Sequence, residues 1–176
     1  MKTSKLILTF GFLLSLSACS GGGGGGTGET EGSSSNQGGT APPPAGSADC
    51  YSMDANSCAG FKATNASRIA HGVPAMVYCH ACYQMAAEQS QDMAIRGYFD
   101  HTRPDETFAH RATRFGLASG AGENIASGKV GAPVVDEMWM NSSGHRANIL
   151  NPGFKSFALG TYGTFTTQVF YSGTNK

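Results

Sequence analysis

The sequence predicts an α+β domain in which helices pack on a sheet as a helix–sheet–helix stack. Three observations carry that prediction. Between residues 57 and 141, apolar side chains recur at helical spacing in four segments. After residue 153 the period changes to two, in SFALGTYG and TFTTQVFYSG. A composition break near residue 50 marks where a foldable sequence begins.

The elements follow in order. Cys58, Phe61, Asn65 and Ile69 define a first helix over about 57–71, closed by Gly72 and Pro74. A second, longer helix over 79–96 carries Cys82, Met85, Ala86, Gln89 and Met93 on one stripe and stops at Gly97. Pro104 opens a third helix bearing Phe108, Ala112 and Phe115. The stretch GENIASGKVG, residues 122–131, reads as an irregular, glycine-bounded connection. Pro133 suits the first turn of a fourth helix over 133–141, with Val135, Met138 and Trp139 facing inward, and Ser142-Ser143-Gly144 terminates it. The last two segments form an antiparallel hairpin turning near Gly163-Thr164.

What precedes the domain has no core-forming content. Residues 1–19 read as a lipoprotein signal peptide: Lys2 and Lys5, then an apolar run over Leu6–Leu16, then LSAC. That ending is similar to a bacterial lipobox, which implies lipidation at Cys19; the alternative is an ordinary secretory peptide cut near Ala18. Acyl chains on Cys19 would hold the protein to a membrane without a spanning helix, and Ser20 after it resembles outer-membrane sorting. The expected localisation is therefore the cell envelope, as an outer-membrane lipoprotein or at the cell surface. Residues 20–49 hold eleven glycines and no aliphatic side chain larger than Ala, so nothing offsets their chain entropy. They read as a disordered Gly/Ser/Pro-rich tether whose ends lie about 30 Å apart. The folded domain is expected over 50–176.

Charge excludes one class of partner. Without Lys2 and Lys5 the chain carries ten Lys and Arg against twelve Asp and Glu, a net of −2 with no basic block. Nucleic acid is not an expected ligand. Cys50, Cys58, Cys79 and Cys82 are an even set in an exported domain, which points to two disulfides with three possible pairings that staple the first two helices. Haem attachment needs a His after the second Cys of CHAC, and Tyr83 stands there; a redox pair lacks a surrounding βαβ pattern.

YFDH followed by PD, then GENIA, then WMNSSGHRANILNP, then ALG and TQVF, in this order, resemble the bacterial branch of the CAP superfamily, also called the SCP domain. The resemblance covers roughly residues 58–172 and implies a three-layer α-β-α sandwich. It also implies a cleft lined by two His and two Glu. The first His matches His101, the first Glu matches Glu123 and the second His matches His145, while Ser142 stands where the second Glu is usual. Glu137 lies five positions earlier, about 140° around a helix, and is a poor substitute.

Two imidazoles and one carboxylate are the ligand set of a zinc site with an open fourth position, so His101, Glu123 and His145 are candidate ligands of a divalent cation. The competing reading is a hydrogen-bonded polar cluster that orders loops. Ser142 or Ser143 as a nucleophile beside His145 is a third, without any nucleophile-elbow motif. Trp139 reads as core, His71 as a helix C-terminal residue, and His80 and His110 as exposed; Arg146 is expected to pair with Asp136 or Glu137. The sequence therefore points to a non-enzymatic binding module for a lipid, glycan or envelope protein, with the alternative of a metal-assisted hydrolase using His101, Glu123 and His145.

Overall fold

A computed structural model describes residues 50–174. The signal peptide, the tether and the lipidation expected at Cys19 lie outside the described residues. The elements run α1 (Ala55–Ala70), β1 (Val77–Tyr78), α2 (His80–Arg96), α3 (Phe108–Arg114), β2 (Ala121–Ser127), a π-helical turn (Val134–Trp139), α4 (Ser143–Ile149), β3 (Ser156–Tyr162) and β4 (Phe165–Tyr171). Four strands form one sheet in the order β1-β3-β4-β2. The predicted hairpin is present: β3 and β4 pair antiparallel from Ser156↔Tyr171 to Tyr162↔Phe165. Gly163 takes the turn with a φ of 57°, a conformation that costs a side-chain-bearing residue energy.

Period-two alternation divides the core into two halves. Phe157, Leu159 and Phe170 face Val134, Val135, Trp139 and Ile149 on one side of the sheet. Ala158 and Val169 face Met85, Ala86, Ala112 and Leu117 on the other. The result is the expected α-β-α stack. Its middle layer is not purely antiparallel, because the two-residue β1 joins β3 in parallel at the edge. Helix α2 lies very close to β3: a Cβ on Gly160 would fall 2.2 Å from the backbone nitrogen of Ala87. Only glycine allows this approach.

Four expectations need correction. Of the expected connection over 122–131, residues 122–127 are strand, since β2 pairs with β4 over Ala121↔Tyr171 to Ser127↔Phe165, and only 128–131 are irregular. The strand hid from the pattern because Glu123, Asn124, Ile125 and Ala126 are all buried, which removes any polar–apolar alternation. Helix α1 buries Ser57, Gly60, Thr64 and Arg68, one residue out of phase with the predicted stripe, and Ile69 is 64% exposed. Its inner face is small and polar because it packs on Leu159 at Gly60 and hydrogen-bonds through Thr64 to Gln168. The two disulfides, Cys50–Cys58 and Cys79–Cys82, each close a short local loop and do not join α1 to α2. Finally, Glu137 pairs with Lys129 and not with Arg146.

Candidate functional site

The loop after α2, the middle of β2, the π-helical turn and the start of α4 meet around one cleft of about 600 Å³. His101, Ser142 and His145 line it together with Phe99, Met138 and Trp139. The chain break before His145 is tighter than a Ser-Ser-Gly terminator. Ser142 alone is extended (φ −107°, ψ 121°), and α4 restarts at Ser143, so His145 sits in the first turn of a new helix. The preceding segment is π-helical, a geometry found at functional sites; it aligns Met138 and Trp139 on the cleft wall. Trp139 is core as expected, with its indole N–H donating to the Ile125 carbonyl at 3.3 Å.

Glu123 is the third expected residue, and it lies beneath the cleft surface. Its carboxylate accepts from His101 Nδ1 at 2.9 Å. It also accepts twice from Arg111 Nη2, at 2.8 and 3.1 Å. Arg111 is fully buried and its other terminal nitrogen donates to the His101 carbonyl at 2.9 Å. Thus His101 is held by backbone and side chain at once, with Nδ1 as the protonated nitrogen. Of the hydrogen-bonded cluster expected from both imidazoles with Glu123, only the His101 bond is present; His145 lines the same cleft as His101 with no hydrogen bond to either residue. Arg111 was missed because an Arg in FAHRATR, which also holds Arg114, carries no motif. Its spacing from the Phe108–Ala112 stripe was the available signal, since a charge on an inner helix face needs a buried partner.

A second tier of amides holds the two halves of the cleft in register. Asn148 Nδ2 donates to the Glu123 carbonyl at 3.3 Å and to Asn124 Oδ1 at 2.9 Å. Asn124 in turn donates to the His145 carbonyl and to Gln168 Oε1, both at 3.2 Å. So β2 and α4 are stitched at the positions that carry Glu123 and His145.

The electrostatics separate the two imidazoles. The Glu123 carboxylate, through its hydrogen bond, raises the His101 pKa above its ordinary value against an opposing effect of burial. Burial first, and then the neighbouring charge of His101, lowers that of His145. One ring is held toward the cation and the other toward the neutral form.

The residues do not fit a three-ligand metal centre. Among the described residues no group of three His, Cys, Asp or Glu side chains is placed to hold a metal ion. The reason is local: the Arg111 guanidinium already holds the Glu123 carboxylate, so the two imidazoles have no third ligand beside them. Ser142, which stands where the second Glu is usual, makes no hydrogen bond to either imidazole among the described residues. His80 and His110 are exposed, and His71 caps the C-terminus of α1, all as expected.

A sheet flanked on both faces by helices, with His101 and His145 on a cleft and Glu123 beneath it, defines a class, and comparison with known proteins identifies it. Residues 61–173 match the cysteine-rich secretory protein family, CAP. The chain belongs to that family. YkwD of Bacillus subtilis (strain 168) is 39% identical over 111 residues, covering 61% of this chain and 43% of YkwD. A crystal structure of an extracellular protein containing a SCP domain from Bacillus anthracis str. Ames superposes with a TM-score of 0.62 at 34% identity, over 66% of this chain and 40% of that one. The chain therefore spans less than half the length of both relatives. An outer surface protein from Borrelia burgdorferi shares the fold, with a TM-score of 0.54 at 17% identity over 62% of this chain and 86% of that one. Two of these relatives are named as extracellular or surface proteins, and among the described residues no helix is long and apolar enough to cross a membrane.

Proposed function

We propose that the domain is a non-enzymatic, extracytoplasmic binding module whose cleft takes an amphiphile with an apolar body and an oxyanion-bearing head. The observation that carries this reading is the division of the cleft wall. Ile125, Ala126, Met138 and Trp139 form an apolar side, and His101, Ser142 and His145 form a polar one. His101 in its cationic form presents its remaining N–H to the cleft, and His145 can donate or accept beside it.

The same geometry speaks against hydrolysis. A general base must be free to take a proton, but Glu123 favours the already protonated form of His101. His145 is unprotonated more readily, yet no carboxylate orients it. The carboxylate of Glu123 is shared between Arg111 and His101 and cannot act as base or nucleophile. The metal-assisted alternative loses its third ligand for the same reason.

Trp139 is the chain's only tryptophan and it lines the cleft, so its emission reports occupancy without a label. Dodecyl phosphate and dodecyl maltoside are titrated below their micelle concentrations at pH 6. Saturable change with the phosphate is expected, together with weaker binding of the maltoside. His101→Ala should weaken the phosphate about tenfold, the size of a lost charge-assisted hydrogen bond. Met138→Asp should abolish both. Unchanged emission with either probe up to its micelle concentration would remove the proposal.

A further inference from the structure

We infer that residues 50–53 form a disulfide-closed strap over the Cys79–Cys82 pair. An external dithiol then opens Cys50–Cys58 first and reaches Cys79–Cys82 only after the strap lets go. The described chain begins against the start of α2. The ring of Tyr51 stacks on that of Tyr78, with centroids 4.2 Å apart and planes 10° from parallel. Ser52 Oγ lies 3.0 Å from Tyr78 Oη, which is also 3.1 Å from His80 Nδ1. Met53 belongs to the same apolar cluster as Cys79 and Cys82, and Cys50 packs against that cluster. The inner pair is shut off from solvent, since Cys79 and Cys82 are fully buried, whereas Cys50 and Cys58 are partly exposed.

Little besides its own disulfide holds the strap down. Among the described residues its only backbone hydrogen bond is internal, Met53 N donating to the Cys50 carbonyl at 3.0 Å. Tyr51 has a φ of 53°, a left-handed conformation that costs a side-chain-bearing residue energy and is relieved on release. One end of the strap is anchored by Cys58, in the first turn of α1, through its bond to Cys50. The other end is fixed at Asp54, the N-cap of α1, which accepts from Thr161 Oγ1 at 2.8 Å. Without the disulfide, one aromatic stack, one exposed hydroxyl contact and the Met53 side chain remain. A segment so weakly held opens locally while the rest of the domain stays folded.

The inner pair suits exchange better than cross-linking. Cys79 and Cys82 are three residues apart, so their bond closes almost no loop and removes little chain entropy. Strand β1 runs directly into the pair, and the 17-residue helix α2 begins within it, with Cys79 as its N-cap. A strand thus leads in and a helix leads out, an arrangement that CHAC did not show as a sequence pattern. Cys82 N donates to Cys79 Sγ at 3.1 Å. After reduction the same N–H and the positive end of the helix would favour the Cys79 thiolate. The N-cap of α2 keeps its partner in both redox states, so the helix start survives the opening.

Each step balances with a dithiol as the reductant. One thiolate of the dithiol attacks a cystine sulfur, forming a mixed disulfide and releasing the other cysteine, which takes a proton. The second thiolate then attacks its own partner sulfur in the mixed disulfide, closing the reductant's disulfide and releasing the remaining cysteine as a thiol. Two electrons and two protons pass from dithiol to protein for each pair. Mild reductant stops after Cys50–Cys58, and the inner pair needs an excess. The cleft of His101 and His145 takes no part in either step.

The test uses residues 20–176, which hold the four paired cysteines and every described residue. Limiting dithiothreitol, followed by iodoacetamide and mass spectrometry, should give a doubly alkylated species labelled at Cys50 and Cys58 alone. That species has an open strap. Treating the same two-thiol form with diiodomethane bridges Cys50 to Cys58 through one carbon and gives a strap that reductant cannot open. In excess dithiothreitol, Cys79–Cys82 should be reduced about tenfold faster with the open strap than with the locked one. Cys50→Ser with Cys58→Ser should match the alkylated species. Val134→Ala in the locked form makes a cavity on the opposite face of the sheet, and should lower Tm while leaving the Cys79–Cys82 rate unchanged. Equal rates with open and locked straps overturn the proposal, as do first labels at Cys79 and Cys82. Loss of a cooperative melt when the strap opens, or the same acceleration in Val134→Ala, overturns it too.

Discussion

Arg111 Nη2 lies 2.8 Å from one oxygen of Glu123 and 3.1 Å from the other, and neither side chain reaches solvent appreciably. The ion pair therefore lies buried behind the cleft wall, in contact with it through His101. It ties α3 to β2 and, through the Arg111 bond to the His101 carbonyl, fixes the loop between α2 and α3. Arg111 Nε has no partner, so the burial of this guanidinium is compensated at Glu123 and His101 alone.

Removing one member should cost much more than removing both. Arg111→Met leaves a buried carboxylate with only His101 as donor, and a broken buried pair costs about 3–5 kcal/mol. The double variant Arg111→Met with Glu123→Met should recover part of that loss, because no charge remains uncompensated. Denaturant unfolding of the four proteins in the cycle measures both quantities. A cost under about 1 kcal/mol for Arg111→Met would show that the pair is not closed to water as described.

Gly160→Ala is expected to be the most damaging small substitution in the sheet. Its Cβ would meet Ala87 N at 2.2 Å and Ala87 Cα at 2.4 Å, both backbone atoms of α2 that cannot rotate away. Overpacking of this kind costs about 1–3 kcal/mol and can cost more, which in a domain of this size lowers Tm by at least several degrees. Gly144→Ala on α4, where nothing lies within 4 Å of the new methyl, is the matched control and should be neutral or mildly stabilising. Equal melting temperatures for the two variants would contradict the close α2–β3 contact.

The two disulfides should open in a fixed order under mild reductant. Cys79 and Cys82 are fully buried, whereas Cys50 and Cys58 are partly exposed. Loop lengths of eight and three residues limit the stabilisation to about 2.5 and 1.6 kcal/mol in the chain-entropy picture. Differential alkylation followed by mass spectrometry should find Cys50 and Cys58 modified while Cys79 and Cys82 remain protected in folded protein. The reverse order would mean that the start of α2 is open to solvent.

Most of the sheet's antiparallel hairpin and the whole of α2 were legible because one face of each is apolar. There, Met85, Ala86 and Met93, or Phe157, Leu159 and Phe170, mark the inside directly. Strand β2 and helix α1 were misread where the inside is polar. Glu123 and Asn124 are buried because Arg111, Asn148 and Gln168 satisfy them, and Thr64 and Arg68 because Gln168 and backbone carbonyls do. Partners that distant in sequence leave no periodic signal. His101, Glu123 and His145 could be named from motif resemblance, but not the buried arginine that decides what their charges are.

The opposed shifts of the two histidines lead to opposed titrations. Glu123 raises the His101 pKa, so the stability that this pair contributes is fully present below the unfolded value near 6.5. It is lost as pH rises through the higher folded value. His145 is shifted down by burial and by His101, so its contribution is present above about 6.5 and lost as pH falls through its lower folded value. Ring carbon-bound proton resonances followed by NMR should show His101 titrating above 6.5 and His145 below it. Glu123→Gln replaces the carboxylate with a neutral acceptor and should bring the His101 midpoint down. Because less positive charge then faces His145 at intermediate pH, its midpoint should move up at the same time. His145 moving while His101 stays in place would show that the two rings do not share the cleft in the way described, and that Glu123 is not what holds the proton on His101.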